Sequence, residues 1–489
     1  MRGWLSDMQF RHSVLYLLAH AVPALAAFIT LAAYTRWINP EAYGVYSTIL
    51  VIAASANSIL FNWLYVGIMR YWHDQQLTEA TMRGVVMVAL LAGSLLAAVV
   101  AVLYVFTGGD GALAASFVCL LVSGAIYTAY QRINSITLQA GRYLRNEVLR
   151  VLLATGLGLL LVWEGYGWQG ALLATSLGFV LVPLFSGHFW QHFWQYPFQL
   201  ERGMLRELLR YGLPLSLTFV LLELMHTTDR LLLGYLMGFE AAGQYAVAFS
   251  LPFQLLVMVT SALNMAAYPL LLRTLEQEGG QAVRAKLADY LLLLLGVAIP
   301  AWLGLVAVGD DFLPLLIGAE FVGESLRLLP WAGFAVLVNC IYLFHTALAF
   351  QFAKQTHKSI GVVGLAALIN LLLNLYLIPR YGVDGALVAC VVAYTVCVVF
   401  GHWLGSQYFT LPVPWMGVVQ IILSAGLMGW VIGLLPFGHG LLAGIGRVVV
   451  GIGVYAFAVL VLNIGNVRGT LWNMLKNFNA KHENIDHQT

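Results

Sequence analysis

The sequence predicts an all-α integral membrane protein with about fourteen transmembrane helices: two six-helix lobes in parallel repeat, plus two C-terminal helices. Three observations predict it: the composition, the length of the apolar runs and a pair of internal repeats. Of 489 residues, 61% are hydrophobic and only 9% are Asp, Glu, Lys or Arg, against about 25% charged in ordinary soluble domains. A soluble chain of this size could not bury so much apolar surface and still present a charged exterior. That excludes soluble enzymes, nucleic-acid binders and disordered chains. Runs such as VVMVALLAGSLLAAVVAVLYVF last about twenty residues, the length a helix needs to cross ~30 Å of hydrocarbon. The strands of a β-barrel would instead show segments of about ten residues with alternating polarity.

The spans start near Ser13, Tyr43, Met82, Ala112, Val148, Ala171, Tyr211, Gly243, Leu287, Leu328, Ile360, Asp384, Trp415 and Leu441. The first run, preceded by Arg2 and Arg11 and containing Ala24-Leu25-Ala26, competes with a signal peptide. It extends to Tyr34, beyond the 7–15 apolar residues of such a peptide, and reads as span 1. Positive charge sets the orientation. The N-terminus, every second loop and the C-terminal tail together hold 19 of the 24 Lys and Arg. The other five are Arg36, Arg230, Arg327, Arg380 and Arg447, and the loops on their side carry acids such as Asp310, Asp311, Glu320 and Glu324. Both termini are therefore expected in the cytoplasm, and an odd number of spans would break the pattern.

Two repeats divide the spans. PEAYGVY (40–46) matches FEAAGQY (239–245) at an offset of 199, and YGWQGALLA (166–174) matches YGVDGALVA (381–389) at an offset of 215. Both displacements equal six spans, an even number, so the copies share one orientation and imply a pseudo-twofold along the membrane normal. The expected division is an N-lobe at 1–190, a linker at 191–210, a C-lobe at 211–410, spans 13 and 14 at 411–465, and a cytoplasmic tail at 466–489. Within the linker, Leu205, Leu208 and Leu209 fall on one helical face with Arg206, Glu207 and Arg210 largely opposite. That pattern reads as an amphipathic helix at the cytoplasmic surface, with an ordinary charged loop as the alternative.

The loops are too short for a catalytic domain, and no Walker A, HExxH or GxSxG sequence occurs. No catalytic residue, cofactor or metal is expected. The informative residues are polar ones at membrane depth, which cost several kcal/mol unless they face a partner or water. Span 7 is richest, with Glu223, His226, Asp229 and Arg230 in LLELMHTTDRLLLG. Glu223, His226 and Arg230 share a face, with Asp229 slightly around the helix. Glu223, His226 and Asp229 are candidates for ion coupling; the alternative is an ion pair pinning span 7 to a neighbour. Arg36, Arg70, Arg132 and Arg150 lie near the ends of spans 1, 2, 4 and 5. With Arg230, they are candidates for binding an anionic head group, because the arginine fork matches phosphate. The alternatives are topogenic or snorkelling charges and, for Arg36, a brace for its own turn. Asn370 and Asn374, at i and i+4, are read as interhelical hydrogen-bonding residues.

TRWINPEAYGVYS (35–47), LPLSLTFVLLELMHTTDRLLLGYLMGFEAAGQYAVAFSL (213–251) and INLLLNLYLIPRYGVDGALVACVVAY (369–394) together resemble a known family. It is the polysaccharide-transporter branch of the multidrug/oligosaccharidyl-lipid/polysaccharide (MOP) flippases, which includes the Wzx-type O-antigen flippases. The resemblance implies two six-helix lobes, a central cationic cavity and alternating access. It also implies movement of undecaprenyl-pyrophosphate-linked oligosaccharide from the cytoplasmic to the periplasmic leaflet of a bacterial inner membrane. O-antigen, lipopolysaccharide or exopolysaccharide synthesis would be the setting. The partners would be the lipid-linked oligosaccharide, membrane lipid, and polymerase and chain-length proteins of the same pathway, with no nucleic acid. Two other readings stay open: a drug or metabolite cation antiporter of the same superfamily, and a membrane-embedded glycan polymerase or ligase.

Overall fold

A computed structural model describes residues 22–23, 25–71, 79–137, 139–186, 202–436 and 438–469. Every regular element among them is helical, as hydrocarbon demands of a chain that must satisfy its own backbone donors and acceptors. Ten of the helical ranges are long and apolar enough to cross a membrane. Two of these, 141–185 and 356–406, run to 45 and 51 residues, roughly twice what one crossing needs. Each is broken by glycine at positive φ, namely Gly165 and Gly167 in the first and Gly382 in the second. Each range is therefore two spans. With the helix at 25–37 and the more highly charged Arg202–Leu236, the described helices stand at the places of the fourteen expected spans.

The contacts across the first break fix its geometry. A Cβ built on Gly170 would stand 2.9 Å from Leu161 Cβ, one on Gly158 would stand 3.6 Å from Ala174 Cβ, and one on Gly178 would stand 3.0 Å from Ala154 Cβ. As one residue number rises the other falls, so spans 5 (Ala140–Leu161) and 6 (Gly167–Phe185) form an antiparallel hairpin. The second break behaves alike, with Gly385 folded back on the carbonyl of Leu377. Gly167 has φ 53° and ψ −136°, and Gly382 has φ 57° and ψ −129°. These two glycines are equivalent positions of the YGWQG and YGVDG repeat. The repeated sequence thus encodes a repeated turn, in a backbone region that L-residues avoid.

A direct check follows from the space around these glycines. A Cβ on Gly382 would meet only Met237 Cε at 3.5 Å, and one on Gly167 only Gln169 Oε1 at 3.9 Å. Alanine at either position should therefore cost backbone strain alone, about 1–2 kcal/mol. It should lower the melting midpoint in detergent. Gly361→Ala, with nothing within 4 Å and an ordinary helical backbone, should not.

The described residues group into two compact units. The first comprises Met1–Val247, Leu316–Glu324 and Ser359–Ala393. Its core includes Phe61, Leu64 and Ile68 of span 2 (Pro40–Tyr71), Leu121 of span 4, and Met204 and Leu208 of span 7. Residues 202–210 are the opening turns of the span 7 helix, with Met204 and Leu208 buried and Arg206, Glu207 and Arg210 exposed. The rest of the expected linker, 191–201, lies outside the described residues. Spans 2 and 7 approach closely because glycines line the seam: a Cβ on Gly67 would meet Leu208 Cδ2 at 2.6 Å, and one on Gly212 would meet the Trp63 carbonyl carbon at 2.8 Å. Where lipid competes for every apolar surface, this small-residue closeness drives association.

The second unit comprises Ala248–Leu315, Ser325–Lys358 and Tyr394–Thr489. Spans 13 (Trp415–Leu434) and 14 (Leu441–Leu462) pack on span 9 (Gly280–Ala307) and on each other. The Tyr455 hydroxyl donates to the Gly296 carbonyl at 2.7 Å, and Gly417 makes room for Leu292 and Gly451 for Ile432. Where spans 13 and 14 join, the side chain of Asp311 is fully buried. It accepts hydrogen bonds from Arg447 and from Gly440 N, and His439 Nδ1 lies 3.6 Å away.

Candidate functional site

Among the described residues of the first unit, the most deeply buried charge is Asp229, on span 7 and 2% exposed. A lone carboxylate at that depth would cost several kcal/mol, and three donors from two other helices meet it. The Tyr245 hydroxyl donates to Oδ2 at 2.8 Å. On span 11, Asn370 and Asn374 both donate from Nδ2 to Oδ1, at 3.1 and 2.5 Å. The i, i+4 spacing of the two amides puts them on one helical face, and Asn374 Nδ2 also donates to Asn370 Oδ1 at 3.1 Å. Asn374 Oδ1 is buried without a hydrogen-bond partner among the described residues. Turning that amide over would set its oxygen against the carboxylate, so the arrangement is fixed by charge. A carboxylate and an unpaired amide oxygen in one buried cluster can serve a small hard cation or a proton.

Glu223 faces elsewhere. Six residues from Asp229, it lies around the other side of the helix and accepts from the Ser55 hydroxyl of span 2 at 3.5 Å. Ser55 also shares a 2.6 Å hydrogen bond with Thr227, whose hydroxyl donates to the Glu223 carbonyl at 2.7 Å. Arg230 acts electrostatically on both Glu223 and Tyr43, and its Nε has no hydrogen-bond partner among the described residues. His226 lies on the same helix, but its side chain is outside the described residues. The structure thus splits the span 7 group: Glu223 and Arg230 toward span 2, Asp229 toward Tyr245 and span 11.

The arginines do not share one surrounding. Arg36 is exposed at the end of span 1, donating to Ala32 O at 2.5 Å and to Leu316 O at 3.4 Å. Arg70 and Arg132 are exposed at the far ends of spans 2 and 4. Arg70 lies 6.0 Å from the Tyr211 ring centroid, and Arg132 Nη1 lies 3.8 Å from Met69 Sδ. Arg150 is half-buried and already engaged. Its Nε donates to Glu147 Oε1 at 3.2 Å, its Nη2 bonds the same oxygen, and its guanidinium lies over the rings of Tyr127 and Phe179 at 5.5 and 5.3 Å. The Tyr127 hydroxyl donates to the other Glu147 oxygen at 2.5 Å. Sequence reasoning missed Glu147, although an acid three residues before Arg150 was a readable signal.

With this geometry in hand, the family follows from the sequence match. A family model described as polysaccharide biosynthesis protein matches residues 33–325, more than half of the chain. The chain belongs to the polysaccharide biosynthesis protein family.

Two proteins of Haloferax volcanii are similar to part of the chain. A probable low-salt glycan biosynthesis flippase, Agl15, is 22% identical over 207 residues, 41% of this chain and 43% of that one. A probable flippase, AglR, is 28% identical over 208 residues, 42% and 43% of the two chains. The chain thus spans less than half the length of these relatives. Among solved structures, the lipid II flippase MurJ in an inward closed conformation aligns with a TM-score of 0.73 at 13% identity, over 92% of this chain and 99% of that one. An inward-facing MATE transporter of the MOP superfamily aligns with a TM-score of 0.52 at 18% identity, over 80% and 97%. At such identities the likeness is one of fold. It is the fold of a multi-pass, all-helical membrane protein, and the resemblance to the polysaccharide branch of the MOP flippases is borne out. The family match covers Arg36, Arg70, Arg132, Arg150, Glu223, Asp229, Arg230 and Tyr245, and ends before Asn370 and Asn374.

Proposed function

We propose that this protein is a flippase. It carries an oligosaccharide linked to undecaprenyl pyrophosphate from the cytoplasmic to the periplasmic leaflet of a bacterial inner membrane by alternating access. The observation that carries the reading is the buried Asp229 cluster, a charge held at membrane depth by three helices of a fold shared with a lipid II flippase. The flippase names of the two archaeal relatives support the same reading. Both termini are cytoplasmic in this proposal. The product feeds O-antigen, lipopolysaccharide or exopolysaccharide assembly, with polymerase and chain-length proteins as pathway partners.

In this reading the exposed Arg70 and Arg132 make the first contact with the head-group phosphates, and Arg230 and Arg36 serve the opposite end of the path. Arg150 takes part only by exchanging Glu147 for a phosphate. Asp229, assisted by Glu223 and His226, couples ion or proton movement to the return step. Deleting the gene should abolish a surface polysaccharide while its lipid-linked unit accumulates on the cytoplasmic leaflet. Normal surface polymer in a strain without a paralogue would sink the proposal. Cation antiport is the second reading, favoured by the buried carboxylate alone; counterflow of a fluorescent organic cation by the purified protein would support it instead.

A further inference from the structure

Span 10 covers Ala319–Phe352, and its regular helix is interrupted at Tyr342–Thr346 by a wider turn. There the Ala347 amide donates to the Tyr342 carbonyl five residues back, at 2.9 Å. Such a π-turn holds one residue more than an α-helical turn and occurs mostly at functional positions. No glycine or proline lies between Phe334 and Phe352, so the backbone chemistry does not call for it. The turn carries His345, 2% exposed, whose Nε2 is buried without a hydrogen-bond partner among the described residues. An unmatched polar atom costs about 1–3 kcal/mol, so an apolar side chain would fill a mere packing role better.

A second histidine stands beside it. A Cβ built on Gly405 of span 12 (383–406) would lie 2.9 Å from Ala349 Cβ and 3.5 Å from Phe350 Cζ. As even-numbered spans, 10 and 12 run the same way. One turn back from that contact, His402 and His345 therefore come level, and His402 acts electrostatically on His345. Other charge is absent from the surrounding helix stretches. Span 8 (Phe239–Gln277) meets span 10 where Thr260 Oγ1 lies 3.4 Å from Cys340 Sγ, and it has no Asp, Glu, Lys or Arg over 248–272. Span 9 meets it where Trp302 Nε1 donates to Pro330 O at 2.9 Å, and has none over 290–307. Spans 10 and 12 have none over 328–351 and 394–406. Besides the two histidines, the titratable groups of these stretches are Tyr268, Tyr290, Cys340, Tyr342, Tyr394 and Cys397, phenols and thiols that ionise above neutral pH.

Among the described residues, no group of three or more His, Cys, Asp or Glu could hold a metal ion. The ligand left to two imidazoles is a proton, which histidine exchanges between about pH 5 and 8. One proton can sit between a donor imidazole and a neutral acceptor. A second would set two like charges side by side. We propose that His345 and His402 form a proton-binding site of the second unit, separate from Asp229, which takes up one proton when the π-turn relaxes. Rewinding the turn to α-helical register swings His345 by about 100° about the helix axis. The turn thus supplies a step between a packed, neutral imidazole and a charged one. The role in coupling rests on the flippase reading above and makes the coupled ion a proton; the site itself is tested without substrate.

The full chain, with its histidines labelled in 15N and held in lipid nanodiscs, is titrated downward from about pH 8 while the imidazole resonances are followed by NMR. The signals that vanish in His345→Gln and in His402→Gln assign the pair, and either variant alone suffices if the other fails to insert. By about pH 5, at least about half of the pair should carry a proton. Both imidazole signals should move through one shared midpoint, and in a glutamine variant the remaining histidine should titrate at a different one. A His345 that stays neutral at pH 5, or two independent midpoints, would overturn the site. Joint titration in a protein that moves no lipid-linked glycan would uphold the site and sink the flippase reading. Gradient-driven flipping with His345 neutral throughout would do the reverse.

Discussion

Asp229→Asn is expected to lower the initial rate of ion-coupled glycan-lipid flipping in proteoliposomes by at least about tenfold, equivalent to about 1.4 kcal/mol in the barrier, while the protein still folds and inserts. The substitution keeps the shape of the side chain and removes its charge. In the native cluster Tyr245, Asn370 and Asn374 all point donors at the carboxylate, so an uncharged amide there offers one acceptor where two were used. Asp229→Ala should be worse for a different reason. It leaves three buried donors unmatched, at about 1–3 kcal/mol each, and should depress the melting midpoint as well as the rate. Tyr245→Phe removes one neutral donor, so it should cost about 0.5–1.5 kcal/mol and leave gradient dependence in place. The decisive measurement is rate against an imposed proton or sodium gradient, paired with thermal stability. Full gradient dependence in Asp229→Asn would make the cluster a structural tie between spans 7, 8 and 11.

Arg447→Met should destabilise the second unit by about 3–5 kcal/mol, the cost of leaving a buried carboxylate without its cation. Asp311 has a fully buried side chain, and Arg447 is only 11% exposed. Its remaining partners, Gly440 N at 3.2 Å and the largely exposed His439, cannot replace a guanidinium. The double variant Arg447→Met with Asp311→Asn should recover much of the loss, since no charge is then stranded. Burial pushes the Asp311 carboxyl up. The Arg447 hydrogen bond, the Gly440 N–H and the Arg447 charge more than reverse this and hold it below its ordinary value. A carboxylate with a lowered folded pKa stabilises above its unfolded value and loses that contribution as pH falls through the folded one. The melting midpoint should therefore be flat from about pH 8 to 5 and fall below about pH 4, a fall missing from the double variant. An unchanged midpoint in Arg447→Met would mean that the ion pair contributes nothing to holding spans 13 and 14.

The helices and their hairpins were legible because their causes are local. Hydrocarbon imposes length, and the YGWQG and YGVDG turns carry the glycines that their backbone angles require. Asp229 was legible for a related reason: a charge inside an apolar run must be accounted for, and Asn370 and Asn374 advertised a shared face. That these amides and Tyr245 meet Asp229 was not, because the partners lie 16, 141 and 145 residues away and only tertiary packing selects them. The arginines were the least legible. Guanidinium chemistry suits phosphate, but it also suits a nearby carboxylate or a free helix-end carbonyl. Arg150 satisfies itself on Glu147 and Arg36 on Ala32 and Leu316, so residue type indicated affinity without indicating partner.

The hairpin closed by Gly382 has a mechanical consequence. A turn this short stores no slack, so the two helices it joins behave as legs of one stiff staple. The first leg carries Asn370 and Asn374, which grip Asp229. The second leg begins where Gly385 folds back on the Leu377 carbonyl and runs on as unbroken helix. With no loop to absorb a shift, the two amides can leave Asp229 only if the turn and the helix behind it move with them.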